Sequence, residues 1–122
     1  MKEILKSFKE NVKSISGFIA VSVTEIESGI SYDSEAIDGF DPELASAYNL
    51  EVVKAKLNAI KVLGLKEDIE DITITLNGQV HIINVAPSGA YFIYLAVDSS
   101  KANLGITKSL LNKHKQELYS AL

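Results

Sequence analysis

The segment Asn103 to Ser109 reads NLGITKS and follows directly on an apolar run, so Gly, Lys and Ser sit together as they do in a phosphate-binding loop. The spacing excludes that chemistry. A P-loop needs G-x-x-x-x-G-K-[ST], because the first Gly builds a nest of backbone N–H groups and the Gly-Lys pair aims the ammonium at the phosphates. Here Ser100 stands five residues before Gly105, and Ile106 follows Gly105. Lys108 and Ser109 also fall about two turns into the expected helix, past the N–H groups that attract anions. The segment therefore reads as a strand-to-helix joint. Ser99 or Ser100 is the expected cap, Leu104, Leu110 and Leu111 dock the helix, and Gly105 allows the helix to approach the sheet closely.

The remaining reactive side chains are scattered. His81 lies on an apolar strand-like run and His114 on a late helix, neither with a second ligand three or four residues away, and the chain has no Cys. A zinc site is not expected, and His81 reads better as a hydrogen-bonded core or rim histidine. No G-x-S-x-G elbow is present, and no Ser/His/Asp order can be argued. Glu67, Asp68, Glu70 and Asp71 in "KEDIED" lack the D-x-D-x-D-G pattern of a calcium loop and read as protection of an edge strand. No catalytic residue, metal or cofactor is expected.

These residues belong to a chain of ordinary globular composition. Its 122 residues suit one domain, and 47% apolar with 23% charged residues is enough to form a core rather than a disordered coil. No apolar stretch approaches the roughly 18 residues of a membrane span, and the N-terminal segment lacks the apolar run of a signal peptide. A cytoplasmic protein is expected. Net charge is −4, with no Arg and no Lys between Lys13 and Lys54, where eight acids stand. An acidic chain without Arg argues against nucleic-acid binding. The acidic middle can steer a partner, although a solvated loop and helix end explains it as well.

Periodicity places the elements. Ile4, Leu5, Phe8 and Val12 recur at helical spacing up to Gly17. "GFIAVSVTEI", the turn "ESG" and the more polar "ISYDSE" form a hairpin. Asp41-Pro42-Glu43 has the form of N-cap, first-turn proline and acidic first turn, opening a helix to about Leu63 with Gly64 as its C-cap. "EDITITL" alternates, Asn77-Gly78 predicts a type I′ turn, and "QVHIINV", "APSG" and "AYFIYLAV" complete a meander before the last helix. The order is α-β-β-α-β-β-β-α, an α+β fold with a five-stranded antiparallel sheet. The first and fifth strands are apolar on both faces and belong in the middle, covered by helices on both sides. The second and third belong at the edges, giving the order 2-1-5-4-3.

The long helix carries two apolar stripes. Leu44, Tyr48, Val52, Ala55, Ala59 and Val62 form one, and Leu50, Val53, Leu57 and Ile60 lie roughly opposite. One sheet buries one stripe. The other is covered either by an internal element or by another molecule, and a second copy of the chain is the preferred occupant because a twofold needs one self-complementary patch. Leu44, Tyr48, Val52, Ala55 and Ala59 are the expected homodimer contacts, with Ile72 and Ile74 nearby on the edge strand.

The ordered set resembles the roadblock / dynein light chain superfamily over nearly the whole chain. The matching pieces are "GFIAVSVTEIESGISY", "PELASAYNLEVVKAKLNAIKVLGL", "EDITITLNGQVHIINVAPSGAYFIYLAVD" and "KANLGITKSLL", whose Asn103, Leu104 and Gly105 are the most specific markers. The resemblance implies a single profilin-like domain over residues 1–122, non-enzymatic, dimerising through long helices and third strands joined into one sheet. It also implies scaffolding or regulation of a small Ras-like GTPase or a motor-type partner. The acidic region before and into the long helix departs from typical members. Two other readings stand beside this one: a small-ligand sensor with a pocket lined by Phe18, Tyr91 and Tyr94, and a small acidic chaperone-like adaptor.

Overall fold

Residues 2–122 are described by a computed structural model of the chain. Three helices and five strands follow in the order α1 (Lys2–Lys13), β1 (Phe18–Glu25), β2 (Ser31–Ala36), α2 (Pro42–Val62), β3 (Ile72–Thr75), β4 (Gln79–Val85), β5 (Tyr91–Asp98) and α3 (Leu104–Ala121). The strands form one antiparallel sheet in the order β2-β1-β5-β4-β3. The expected topology and the central position of β1 and β5 are both observed.

Strand alternation splits the core into two layers. On one face Val21, Val23, Ile82, Ile93 and Leu95 meet Leu5, Phe8 and Val12 of α1 and Leu111 and Leu118 of α3. On the other, Ile19, Ala20, Ile83, Phe92, Tyr94 and Ala96 meet Leu50 and Val53 of α2. Each large apolar side chain removed from water contributes roughly 1.5–3 kcal/mol, so both layers are needed to offset the chain entropy lost on folding. The continuous apolar runs of β1 and β5 follow from this double cover. Tyr91 and Tyr94 belong to opposite layers and are 2% and 0% exposed. With Phe18 they do not line one pocket, which removes the basis of the small-ligand reading.

The ends of α2 form as its sequence predicts. The Asp41 carboxylate accepts the N–H groups of Glu43 and Leu44 at 3.2 and 3.0 Å, and Pro42 fills the first turn, where no N–H is needed. At the other end Leu63 is the cap residue and Gly64 follows it at φ +68°. The N–H of Gly64 reaches the Lys61 carbonyl and that of Leu65 the Ile60 carbonyl, a Schellman motif.

Three local expectations are corrected. Asn77-Gly78 connects β3 to β4, but neither residue has positive φ, so the turn is not type I′. The Gly78 carbonyl instead accepts the Ser99 N–H at 3.1 Å, and that tie to the β5–α3 joint accompanies a different turn geometry. Second, neither Ser99 nor Ser100 caps α3. Ser100 donates to the Asp98 carboxylate at 2.7 Å, and Asn103 is the N-cap. Lys108 consequently lies nearer the helix start than expected, though still beyond the unpaired N–H groups. Third, Leu104 is exposed and does not dock α3, and a Cβ at Gly105 would meet only the Asn103 Oδ1, at 3.4 Å. The close approach is made by Gly17, at φ +80°, where a Cβ would stand 2.8 Å from the Asp98 carbonyl oxygen.

Candidate interaction surface

The two stripes of α2 meet opposite fates. Leu50 and Val53 are buried on the sheet, with Leu57 and Ile60 half-buried beside them. Leu44, Tyr48, Val52 and Val62 are 56%, 72%, 39% and 76% exposed, Ala55 is exposed and Ala59 half-buried. Leu63 and Leu65 extend the exposed apolar surface past the helix end. An uncovered tyrosine and three branched aliphatics on one helical face are more than the scattered apolar exposure normal for a monomer. No internal element covers this stripe among the described residues.

Ser22 of β1 and Ser46 of α2 hydrogen-bond to each other in the interior, and the Asn49 amide donates to the Ala45 carbonyl at 2.8 Å. Both bonds satisfy polar groups on the buried side of α2, and the one from Ser22 to Ser46, which crosses from the sheet to the helix, fixes the rotation of the helix. The outer stripe therefore faces away from the sheet.

Ile72 and Ile74 lie on the same side of the sheet as α2, in register with Ile83 and His81. They are half-buried, and Ile72 joins the cluster that contains Leu50 and Val53. The backbone of α2 lies closest to β1 and β2, while Leu57 in its second half packs on the same cluster as Ile72 and Val85. The helix stripe and the β3 isoleucines thus share a side of the sheet without lying directly against each other. Leu76 donates its N–H to Gln79, and Ile72 and Ile74 pair with Ile83 and His81. By the alternation of an antiparallel ladder, the backbone groups of Thr73 and Thr75 face the open edge.

Charge near this surface is partly neutralised within the fold. Lys9 of α1 lies 3.3 Å from Asp33 and Lys13 lies 3.4 Å from Glu35, so two of the eight middle acids are ion-paired. Glu25 accepts from Ser28 and Tyr32, and these bonds hold its carboxyl below the usual range. Asp41 caps α2. Glu27, Asp38, Glu43 and Glu51 remain exposed. Pairing, capping and hydrogen bonding, which composition does not reveal, account for half of the acidic block.

His81 and His114 stay apart, and no cluster of three potential metal ligands occurs among the described residues. His81 contacts Gln79 and Tyr94 instead, at 2.8 and 3.4 Å. Burial lowers its pKa. No described helix is long and apolar enough to cross a membrane.

Two helices on one side of a 2-1-5-4-3 sheet and one long helix on the other define the roadblock/LC7 fold. MglB from Myxococcus xanthus superposes with a TM-score of 0.77 at 12% identity, covering 98% of this chain and 91% of that one. A roadblock/LC7 domain from Streptomyces avermitilis gives 0.77 at 10% identity, with 92% and 91% covered. A form of MglB with a tetrameric arrangement gives 0.76 at 11% identity, with 98% and 87% covered. At sequence level no family profile and no curated protein matches the chain. The likeness is one of fold.

Proposed function

We propose that residues 1–122 form a single roadblock-like domain that acts as a non-enzymatic, homodimeric binding module in the cytoplasm. Two copies pair through the outer stripe of α2 and the free edge of β3, and the joined helices present a surface to a protein partner. The observation that carries this reading is the exposed stripe Leu44–Tyr48–Val52–Ala55 on a helix whose opposite stripe is already buried. Small side chains at Ala55 and Ala59 allow close helix approach, and a twofold requires one self-complementary patch. The tetrameric arrangement of an MglB form of the same fold is in keeping with self-association. A small Ras-like GTPase or motor-type protein is the partner class that the family resemblance favours. The chain has no Arg with which to supply an arginine finger to such a partner.

Light scattering after size exclusion tests the dimer. The wild-type chain elutes as a dimer at tens of micromolar, and a monomer there overturns the reading. Ala55→Glu leaves the fold intact, because Ala55 is exposed, and yields monomer by placing an unpaired charge in the contact. Thr75→Pro removes an N–H from the free edge while sparing the bonds to β4, and weakens the dimer.

A further inference from the structure

A cleft of about 620 Å³ opens between the segment 67–71 and α3, with the end of β4 as its floor. Neither the outer stripe of α2 nor the outer edge of β3 contributes to it, so it is a separate feature from the dimer surface. Leu57, Ile82 and Leu111 give it an apolar lining. Its outer wall carries Glu67, Asp68 and Glu70, exposed carboxylates with no cation within ion-pair distance among the described residues. Asp71, by contrast, is tied to Lys108 of α3 at 3.2 Å, which anchors the segment at one end.

Acidic residues alone would describe a solvated loop, and the floor supplies an independent sign. Asn84 is 3% exposed, and the Lys115 ammonium donates to its Oδ1 at 2.7 Å. A lysine offers only donors, so this bond fixes the orientation of the amide and turns Nδ2 away from Lys115. Among the described residues Nδ2 donates to no protein acceptor, and it is not sealed in the interior, so it opens into the cleft that Asn84 lines. Water reaches this amide through the cleft, and an acceptor seated there would replace that water with a direct bond.

The strand edge points the same way. Ala86 donates to Tyr91 of β5 and Gln79 accepts from Leu76 on the β3 side, so Val85 directs its N–H and C=O outward. Pairing with β3 begins only at Ile72 with Ile83, which leaves the outward groups of Val85 without a strand partner. The cleft thus offers a donor and an acceptor at strand geometry, a second donor at Asn84, an apolar floor and an acidic rim. A polypeptide backbone supplies the complement of both edge groups at once, whereas a simple ion does not.

We propose that this cleft holds an extended segment of a partner polypeptide with alternating basic and apolar side chains. Its backbone pairs with Val85, one of its carbonyls accepts from Asn84 Nδ2, its apolar side chains face the floor, and its basic ones meet Glu67, Asp68 and Glu70. The inference requires neither the dimer nor a GTPase.

Titrating the isotope-labelled full chain with an acetylated, amidated octapeptide of alternating Lys and Val, followed by amide chemical shifts, provides the test. Shifts are expected at Ile69, Glu70, Asn84, Val85 and Asn112, and none with the Glu/Val counterpart. Glu70→Lys weakens binding about tenfold, and so does Asn84→Asp, the scale of one lost hydrogen bond to a well-placed acceptor. Asn84→Asp discriminates most sharply. It keeps the shape, pairs with Lys115 and adds negative charge, so simple attraction of a basic peptide predicts tighter binding. N84D binding as well as or better than wild type overturns the proposal. So do shifts confined to Thr73 and Thr75 or to α2, and so does absence of binding at millimolar peptide.

Discussion

Asn103 Oδ1 accepts the Ile106 N–H at 3.0 Å, and the Asn103 carbonyl accepts both the N–H and the hydroxyl of Thr107. This single residue organises the first turn of α3. Asn103→Ala is expected to lower the unfolding free energy by about 1 kcal/mol, the usual cost of a lost N-cap. Asn103→Asp stays close to wild type, since a carboxylate accepts the same bond and suits a helix N-terminus. Ser99→Ala changes stability by less than about 0.5 kcal/mol, because the Ser99 side chain caps nothing. Urea denaturation of the three variants checks the assignment.

Two glycines separate backbone necessity from composition. Gly17 combines φ +80° with a carbonyl 2.8 Å from where a Cβ would stand, and its own carbonyl accepts the Asp98 N–H at 2.7 Å. Gly17→Ala therefore costs about 2 kcal/mol or more. Gly105 lies in the first turn of α3, where an added Cβ would meet only the Asn103 Oδ1 at 3.4 Å, and Gly105→Ala raises stability by up to about 0.5 kcal/mol through helix propensity. Thermal melts that move in opposite directions are the expected result.

His81 gives the fold a pH dependence of its own. Its ring meets that of Tyr94 edge to face at 5.3 Å, and burial holds its pKa below the ordinary 6.5. As pH falls, the unfolded chain takes up this proton first. The contribution is thus complete above pH 6.5 and is lost as pH drops through that value toward the folded pKa. Stability should fall between pH 7 and pH 5, and less steeply in His81→Gln. His114, also lowered by burial, titrates in both proteins and cancels in the comparison. Asp71 and Asp98 have lowered carboxyl pKa values, held mainly by Thr73 and Ser100 respectively, and their contributions are lost only below about pH 4. Denaturation midpoints across this range separate the two windows.

Local signals carried the topology. The Asp41-Pro42 start of α2, the Gly64 stop, the double-sided apolar runs of β1 and β5 and the polar edge strands each depend on neighbouring residues, and each is observed. The opposed stripes of α2 were equally legible, because helical period alone sets which residues share a face. Tertiary contacts decided the rest. Asn77-Gly78 gave up its preferred turn while bonded to Ser99, and the cap of α3 moved to Asn103 as Ser100 bonded Asp98. The acidic middle was divided between internal ion pairs and free surface by the approach of α1 to β2. The cleft was invisible in sequence because its walls come from residues 57, 67–71, 82–89 and 108–119. "KEDIED" showed an acidic run, but only the fold set it across from a buried Asn84 whose Nδ2 opens into the cleft, since periodicity reports faces of one element and not what stands across from them.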